Sequence, residues 1–242
     1  MDKYYNDWEK WYNLIVKEFN FNKEEDYRVS LILDNIIQNK GKFDITNMHL
    51  PNQCIIFGAG PSIKKNISFI KSTFDLEKYL IIASDGATTA LMEEDILPDI
   101  IVSDLDGDMK KIIEANKQGS IIYVHAHGDN QDKIEKYVPQ LDKIIPTTQS
   151  KKVGLLENYG GFTDGDRAVH IAVYALNMET IILAGMDFGN IITNYSRPEI
   201  GVHLKEADNV KKLKLKYAEK LINSIKNKKS NSHINFIDIT LI

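Results

Sequence analysis

The stretch YLIIASDGATTALMEEDILPDIIVSDLDGD, Tyr79–Asp108, contains two short apolar runs joined by a segment with helical character. Similar runs lie elsewhere between residues 53 and 189, namely CIIFGAG, SIIYVHAHG, KIIPTTQS and TIILAGMDFG, and they alternate with helical patterns. The runs are apolar on both faces, which is typical of parallel strands covered by helices on both sides. The sequence therefore predicts a doubly wound α/β fold with a mainly parallel sheet, whose ligands bind beyond the carboxyl ends of the strands.

The first 50 residues follow a different pattern, because their apolar residues recur at helical spacing. Two amphipathic helices are predicted, one from Trp8, Trp11, Tyr12, Ile15 and Phe19 and the other from Val29, Leu33, Ile36 and Ile37. We therefore expect an N-terminal helical cap over residues 1–50 and a Rossmann-like α/β catalytic domain over residues 51–242.

The C-terminal part contains three further segments. Residues 190–209 have no clear periodicity and include Pro198 and Gly201, so they predict a long loop that acts as a lid or a binding element. The lysines of LKLKYAEKLINSIKNKK, residues 213–229, are expected on a solvated helix face. The ending NFIDITLI predicts a last strand.

Composition restricts the functional classes. The chain has 242 residues, of which 43% are hydrophobic and 26% charged, and its net charge of −4 argues against a general nucleic-acid binder. Acidic residues stand where a signal peptide needs an apolar core, and no run approaches the roughly 20 apolar residues of a membrane span. We therefore expect a cytoplasmic protein with no membrane partner. The single cysteine, Cys54, lies in an apolar run and predicts a buried thiol.

Aspartates follow two consecutive predicted strands. Asp104 and Asp106 end one strand with a two-residue offset that points both side chains the same way, and Asp85 ends the strand before it. If the strands are neighbours, three carboxylates converge, and their repulsion is relieved by a bound cation. All-oxygen ligation favours Mg²⁺. Helix capping is the structural alternative for these residues, and we expect Asp108 to be an N-cap.

A glycine-rich turn, FGAGPSI, follows the first predicted strand. Gly58 and Gly60 would let the backbone approach a phosphate, and the helix that begins near Ser62 would supply donors and a favourable dipole. A dinucleotide fingerprint would require a third glycine where Ile63 stands. A plain tight turn therefore remains open beside a ligand loop.

A second glycine-rich loop precedes the helix in NYGGFTDGDRAVHIAVYALN. Thr163 and Asp166 predict a capping box, and Arg167 lies in the first turn of that helix, close to Gly160–Gly161. An arginine beside a glycine loop suggests a bidentate phosphate clamp. An ion pair with Asp164 or Asp166 at the surface is the alternative. Arg197, in the expected loop, is a weaker candidate of the same kind.

In YVHAHGDN, polar side chains alternate past another strand end. His125, His127 and Asp129 have a spacing that could supply a transition-metal site, although no further histidine pair or cysteine cluster supports one. We expect His127 and Asp129 to line the active site instead, as polar contacts to a substrate or to a metal-bound water.

The order of these motifs resembles known families. SDGATTALMEEDILPDIIVSDLDGD is similar to the thiamine pyrophosphokinase pattern, and with GAGPS, HAHGDN and GGFTDGDRAV the arrangement over residues 53–190 resembles the archaeal 6-hydroxymethyl-7,8-dihydropterin pyrophosphokinases. The resemblance implies transfer of a pyrophosphoryl group from ATP to a hydroxymethyl group, release of AMP, and a requirement for Mg²⁺. Ser103 and Asp108 depart from the thiamine pattern and disfavour thiamine as the acceptor. The similar thiamine enzymes suggest a homodimer.

The residue patterns and this resemblance together divide the predicted site residues into three groups. Asp85, Asp104 and Asp106 would bind the metal. Asp104, Asp106, Asp129 and Arg167 would act in catalysis. ATP and the acceptor would contact Gly58, Gly60, Ser62, Asp85, Gly86, His127, Gly160, Gly161, Thr163 and Asp164.

Other functions remain open from the residues alone. VSDLDGD resembles the nucleophile motif of haloacid-dehalogenase-type phosphatases, in which Asp104 would be the nucleophile. That motif usually has Thr or Ser where Asp108 stands, and it follows the first strand of its domain. Thiamine pyrophosphokinase and a nucleotide sensor without turnover are the further alternatives.

Overall fold

The computed structural model describes residues 3–242, with side chains from Asp7 onward, so residues 1 and 2 of the predicted cap lie outside the described residues. Within this range the strands are β1 (Gln53–Phe57), β2 (Leu80–Ser84), β3 (Ile100–Ser103), β4 (Ile121–Ala126), β5 (Ile144–Thr148), β6 (Thr180–Ala184), β7 (Ile191–Thr193), β8 (Leu204–Glu206) and β9 (Asn235–Asp238). The α-helices are α1 (Lys3–Phe19), α2 (Lys23–Lys40), α3 (Ile63–Thr73), α4 (Asp85–Met92), α5 (Met109–Gln118), α6 (Gln131–Tyr137), α7 (Asp164–Tyr174) and α8 (Asn209–Lys226).

One sheet organises residues 53–238. Its strand order is β5-β4-β3-β2-β1-β6-β9, and every neighbouring pair is parallel. The order reverses between β1 and β6, which makes their carboxyl ends the expected ligand crevice. Pro146 lies in β5, an edge strand, where a residue without an N–H is tolerated. The predicted doubly wound fold and the predicted last strand are both confirmed.

Both faces of the sheet are covered because successive strand residues point to opposite sides. Ile56 and Ile82 pack with α7 and α8 on one face, whereas Ile55 and Ile81 pack with α3 and α4 on the other. The same second face continues over β3, β4 and β5 under α2, α5 and α6. Burial on both sides explains why the strands have no polar alternation.

The N-terminal segment forms the two predicted helices. Val29, Leu33 and Ile37 of α2 are fully buried against the sheet, so α2 shares the core of the α/β unit. Helix α1 packs Trp8 and other apolar residues against α7 and α8. The predicted domain boundary at residue 50 stays a prediction.

Residues 190–207 form a hairpin arm, which corrects the prediction of an irregular loop. Strands β7 and β8 pair antiparallel over three residues each, and flanking hydrogen bonds extend the pairing at Asn194 and Ala207. Gly201 makes the return possible because its φ of 68° lies in the left-handed region that favours glycine. Strands this short carry too little periodicity to predict.

The last two features are the single cysteine and the character of the helices. Cys54 is fully buried, as predicted, and burial raises the pKa of its thiol far above the usual value. Among residues 3–242, we find no helix that is long and apolar enough to cross a bilayer.

Candidate active site

A cavity of about 470 Å³ opens at the carboxyl ends of β1, β2, β3 and β6. It extends from the crevice between β1 and β6, beside Gly58–Gly60 and Gly185–Asp187, to Asp85 and Asp104 beyond β2 and β3. Side chains from α6, from the start of α8 and from the hairpin arm complete its wall. Its size is that of small-molecule sites in proteins.

Asp85, Asp104 and Asp106 form a carboxylate triad on this cavity. One oxygen from each side chain lies within 4.8 Å of the others, because β2 and β3 are neighbours in the sheet. The expected convergence is therefore observed. The local cause differs from the extended backbone that the sequence suggested, since Leu105 has a φ of 66°, in the left-handed region. The Ser103 hydroxyl supports this turn by accepting the Leu105 N–H at 2.8 Å while donating to Asp85.

The triad is electrostatically strained. Burial and the charges of Asp104 and Asp106 raise the pKa of Asp85 to about 7. Burial and Asp104 raise the pKa of Asp106 to about 6. Burial would also raise the pKa of Asp104, but His127, whose Nε2 lies 3.4 Å from Oδ2, acts together with Asp106 and Arg167 to outweigh burial and lower that pKa. Such a site favours a bound cation.

The donor set of the triad fits a hard divalent cation. Oδ1 of Asp85 and Oδ1 of Asp104 are buried, and neither accepts a hydrogen bond from the described residues. Buried carboxylate oxygens without partners are costly unless a cation satisfies them. All-oxygen ligation is the preference of Mg²⁺. The transition-metal alternative finds no support, since among the described residues the triad is the one cluster with metal-ligand spacing.

The first glycine-rich turn is shaped by its contact with the end of β6. A Cβ atom at Gly60 would lie 2.2 Å from Asp187 Oδ2 and 2.7 Å from Gly185 O. Ser62 donates to Asp187 Oδ2 through both its N–H (3.1 Å) and its hydroxyl (2.7 Å). The donors that the sequence assigned to a phosphate are thus engaged by Asp187. Gly58 and Gly60 line the cavity, whereas Ser62 lies outside its lining.

Arg167, the predicted phosphate clamp, is engaged inside the protein and does not line the cavity. It is 3% exposed, lies outside the cavity lining, and pairs with Asp164 at 2.6 Å while donating to Phe162 O at 3.0 Å. The alternative ion pair is therefore the observed arrangement, although it is buried and not at the surface. Gly160–Gly161 also lie outside the lining, and both have positive φ, where they pack on His170 and Arg167.

Other predicted residues of this helix start do reach the cavity. Thr163 and Asp164 line it. Asp166 accepts from the Thr163 N–H at 2.7 Å and its hydroxyl at 2.6 Å, which confirms the expected contact of the capping box. Gly86, in the first turn of α4, lines the cavity beside Asp85. The prediction of Asp108 as an N-cap is also confirmed, since it accepts from the N–H groups of α5.

His127 and Asp129 have different surroundings. Neither residue is part of the cavity lining. His127 contacts Asp104, which does line the cavity, whereas Asp129 is exposed and no contact supports its predicted catalytic role. The loop that carries them is fixed by buried Asp26 of α2, which accepts the Gly128 N–H at 2.7 Å. Asp26 also accepts from Tyr12 of α1 at 2.7 Å. The N-terminal helices therefore position the partner of Asp104.

Sequence reasoning missed several residues of the wall. Lys214, expected on a solvated helix face, lines the cavity, and so do Lys133 and Lys211. Two further lining residues were also not predicted, Asp187 after β6 and Tyr195 in the hairpin arm. The spacing of Lys211 and Lys214 by three residues places them on one helix face and was the available signal.

Comparison with known proteins gives consistent results. The sequence model of the family described as 6-hydroxymethylpterin diphosphokinase MptE-like matches residues 30–193. Proteins named 6-hydroxymethyl-7,8-dihydropterin pyrophosphokinase are similar over most of the chain. The one from Methanothermobacter thermautotrophicus is 48% identical over 216 residues, which cover 89% of this chain and 92% of the relative. The one from Methanocaldococcus jannaschii is 46% identical over 231 residues, 92% and 95% respectively.

More distant proteins also match. A protein of the same name from Pyrococcus furiosus is 36% identical over 226 residues, which cover 91% of this chain and 94% of the relative. Among solved structures, that of the MAf glycosyltransferase from Magnetospirillum magneticum AMB-1 superimposes with a TM-score of 0.56 at 16% identity. It covers 91% of this chain and 37% of the other, and at this identity it supports the fold alone.

Proposed function

The chain belongs to the MptE-like family of 6-hydroxymethylpterin diphosphokinases, and from this premise we propose that it transfers the diphosphoryl group of ATP to 6-hydroxymethyl-7,8-dihydropterin with Mg²⁺ as cofactor. The products are the pterin diphosphate and AMP. The observation that carries the proposal is the carboxylate triad on a cavity of nucleotide size at the carboxyl ends of a parallel sheet.

Asp85, Asp104 and Asp106 would hold the Mg²⁺ ion, which when bound offsets the negative charge of the phosphates. His127 holds Asp104 in its ionised form through the contact at 3.4 Å. Ser103 fixes Asp85 by donating its hydroxyl proton. These contacts preorganise the charge, so that little rearrangement is needed as the reaction proceeds.

The chemistry requires in-line approach of the acceptor alcohol to the β-phosphorus of ATP. A bond forms from the hydroxymethyl oxygen to that phosphorus, the bond from the phosphorus to the oxygen shared with the α-phosphate breaks, AMP leaves with the electron pair, and the hydroxyl proton passes to solvent. Positioning and charge supply most of the acceleration in phosphoryl transfer, so a strong base is not required. With both substrates bound, the cavity walls from α7, α8 and the hairpin arm would exclude water that would otherwise compete as acceptor.

The test is a nucleotide analysis after incubation of the protein with Mg²⁺, ATP and the pterin. We expect AMP and pterin diphosphate in equal amounts, with no AMP when the pterin is omitted. Thiamine in place of the pterin tests the nearest alternative acceptor. Release of free phosphate with a phosphoaspartate at Asp104 would identify a phosphatase, and ATP binding without products would identify a sensor. Either result would overturn the proposal.

A further inference from the structure

We propose that the β- and γ-phosphates of the nucleotide are bound by three lysines that line the same cavity as the carboxylate triad, namely Lys133, Lys211 and Lys214, here called the lysine cluster. The inference rests on the proposed function and assigns the residues that recognise the polyphosphate. Lys133 comes from α6, and the other two come from the first two turns of α8. The family match ends at residue 193, so α8 lies beyond it.

The position of the lysine cluster supports this assignment. All three side chains line the cavity that contains the triad, and all three are half-buried. Lys211 and Lys214 project from one face of α8 because they are three residues apart. The positive charges of Lys133 and Lys211 act on Asp106, where they oppose the effect of burial on its pKa. A ligand between α6, α8 and β3 would therefore contact both groups.

The other cationic side chains near the site are already engaged. Arg167 pairs with Asp164 behind the cavity wall. Arg197 lines the cavity but pairs with Asp208 at 2.6 Å and with Glu199 at 3.6 Å. Among the ion pairs of the described residues, none involves Lys133, Lys211 or Lys214. These lysines are thus the cations available to a ligand in the cavity.

The surroundings of Lys211 favour an anionic ligand. Burial, with repulsion from Lys214 and Arg197, lowers the pKa of its ammonium group. A cation that is partly removed from water and placed beside other cations is stabilised by an anion between them. A magnesium polyphosphate retains negative charge and has oxygen acceptors for ammonium donors. The Nζ atom of Lys214 also lies over the Phe162 ring, 5.8 Å from the ring centroid.

The experiment compares binding of α,β-methylene ATP with binding of AMP, by calorimetry in Mg²⁺ without acceptor. We expect Lys211→Met and Lys214→Met each to weaken binding of the analogue by about tenfold and to leave AMP binding unchanged, since a charged hydrogen bond is lost at the polyphosphate. Lys216→Met is the matched control, because Lys216 is an exposed residue of the same helix outside the cavity lining. Lys211→Arg retains the charge and should retain the preference for the analogue.

The outcomes separate this inference from the proposed function. If the wild-type protein prefers the analogue over AMP and both methionine variants keep that preference, the lysine cluster does not bind the polyphosphate. An equal loss for the analogue and for AMP would also overturn the inference, because it would indicate a contact elsewhere on the nucleotide or a loss of fold. If the wild-type protein binds neither nucleotide, the proposed function itself fails.

Discussion

Asp106 and Asp108 stand two positions apart after β3, yet their side chains have different surroundings. Asp106 belongs to the carboxylate triad, whereas Asp108 caps α5. We expect Asp106→Asn to lower turnover by about a hundredfold or more, because preorganised charge is lost. Asp108→Asn should leave turnover unchanged, since Asn caps helices as well as Asp. Steady-state AMP formation measures both, and equal rates for the two variants would remove Asp106 from the site.

Asp85 gives the metal-free protein a characteristic pH dependence. Its folded-state pKa of about 7 lies above the ordinary 3.8, so the folded state retains a proton that the unfolded state releases. The stability from this proton is complete below about pH 4 and is lost as pH rises through about 7. We expect the melting temperature in EDTA to fall from about pH 5 to about pH 8, and Asp85→Asn to reduce the fall.

Mg²⁺ provides the control for this pH dependence. Binding favours the ionised carboxylates, so the ion should release protons near pH 7 and restore stability at higher pH. Calorimetry in buffers of different ionisation enthalpy measures that proton release. A melting temperature in EDTA that rises over the same pH range would contradict the strained triad.

At the residue level, what the sequence predicted depends on distance along the chain. Asp104 and Asp106 were identified because their motif is local and follows a strong strand signal. For Arg167 the sequence allowed either a phosphate clamp or an ion pair with a nearby aspartate, and it could not separate the two. The structure shows the ion pair, with Asp164. Asp187 was missed because its contact with Ser62 spans 125 residues.

At the scale of elements, the hairpin arm packs closely against the start of α4. A Cβ atom at Gly86 of α4 would lie 2.1 Å from the backbone oxygen of Tyr195 in the arm. Gly86→Ala should therefore displace the arm and weaken nucleotide binding, although alanine is the better helix former by about 1 kcal/mol. We expect a loss of stability of about 1 to 3 kcal/mol, as for other overpacked sites, measured by urea unfolding together with calorimetry.

Gly189→Ala is the matched control for the arm. Gly189 lies just before the hairpin arm, and a Cβ atom there would meet nothing within 4 Å. This variant should bind and unfold like the wild-type protein. If Gly86→Ala also behaves like the wild-type protein, the arm is not held against α4 in solution.

Helix α8 illustrates why an element can be predicted while its role is not. The alternation of lysines with apolar residues at helical spacing identifies the helix, and Tyr217, Leu221 and Ile222 are buried as that pattern requires. The same pattern assigns the lysines to solvent, because it carries no information about what lies opposite them. This face lines the cavity because the fold places the start of α8 near the carboxyl ends of the strands, which the local sequence pattern does not encode.

For the whole molecule, most of the sheet was predictable because strands β1 to β6 are buried on both faces, which removes polar alternation. The sequence left open whether β2 and β3 are neighbours, although consecutive strands tend to be adjacent. The position of α2 was not predictable, since its apolar stripe fits a separate cap as well as a layer of the sheet. The convergence of the three carboxylates was therefore predicted correctly, whereas the lysines of the cavity wall were not predicted.

The cavity joins strands from the sheet with helices of both layers and with the hairpin arm, so a ligand there should stabilise the whole fold. Binding to the native state alone contributes about 2.7 kcal/mol when free ligand is 100 times its Kd. We expect Mg²⁺ with α,β-methylene ATP to raise the melting temperature more than either does alone, and Asp106→Asn to remove the part that depends on Mg²⁺. Scanning calorimetry with and without EDTA measures these shifts. If Mg²⁺ adds nothing to the stabilisation by the nucleotide analogue, the triad and the polyphosphate do not share a metal, because a shared ion must couple the two binding free energies.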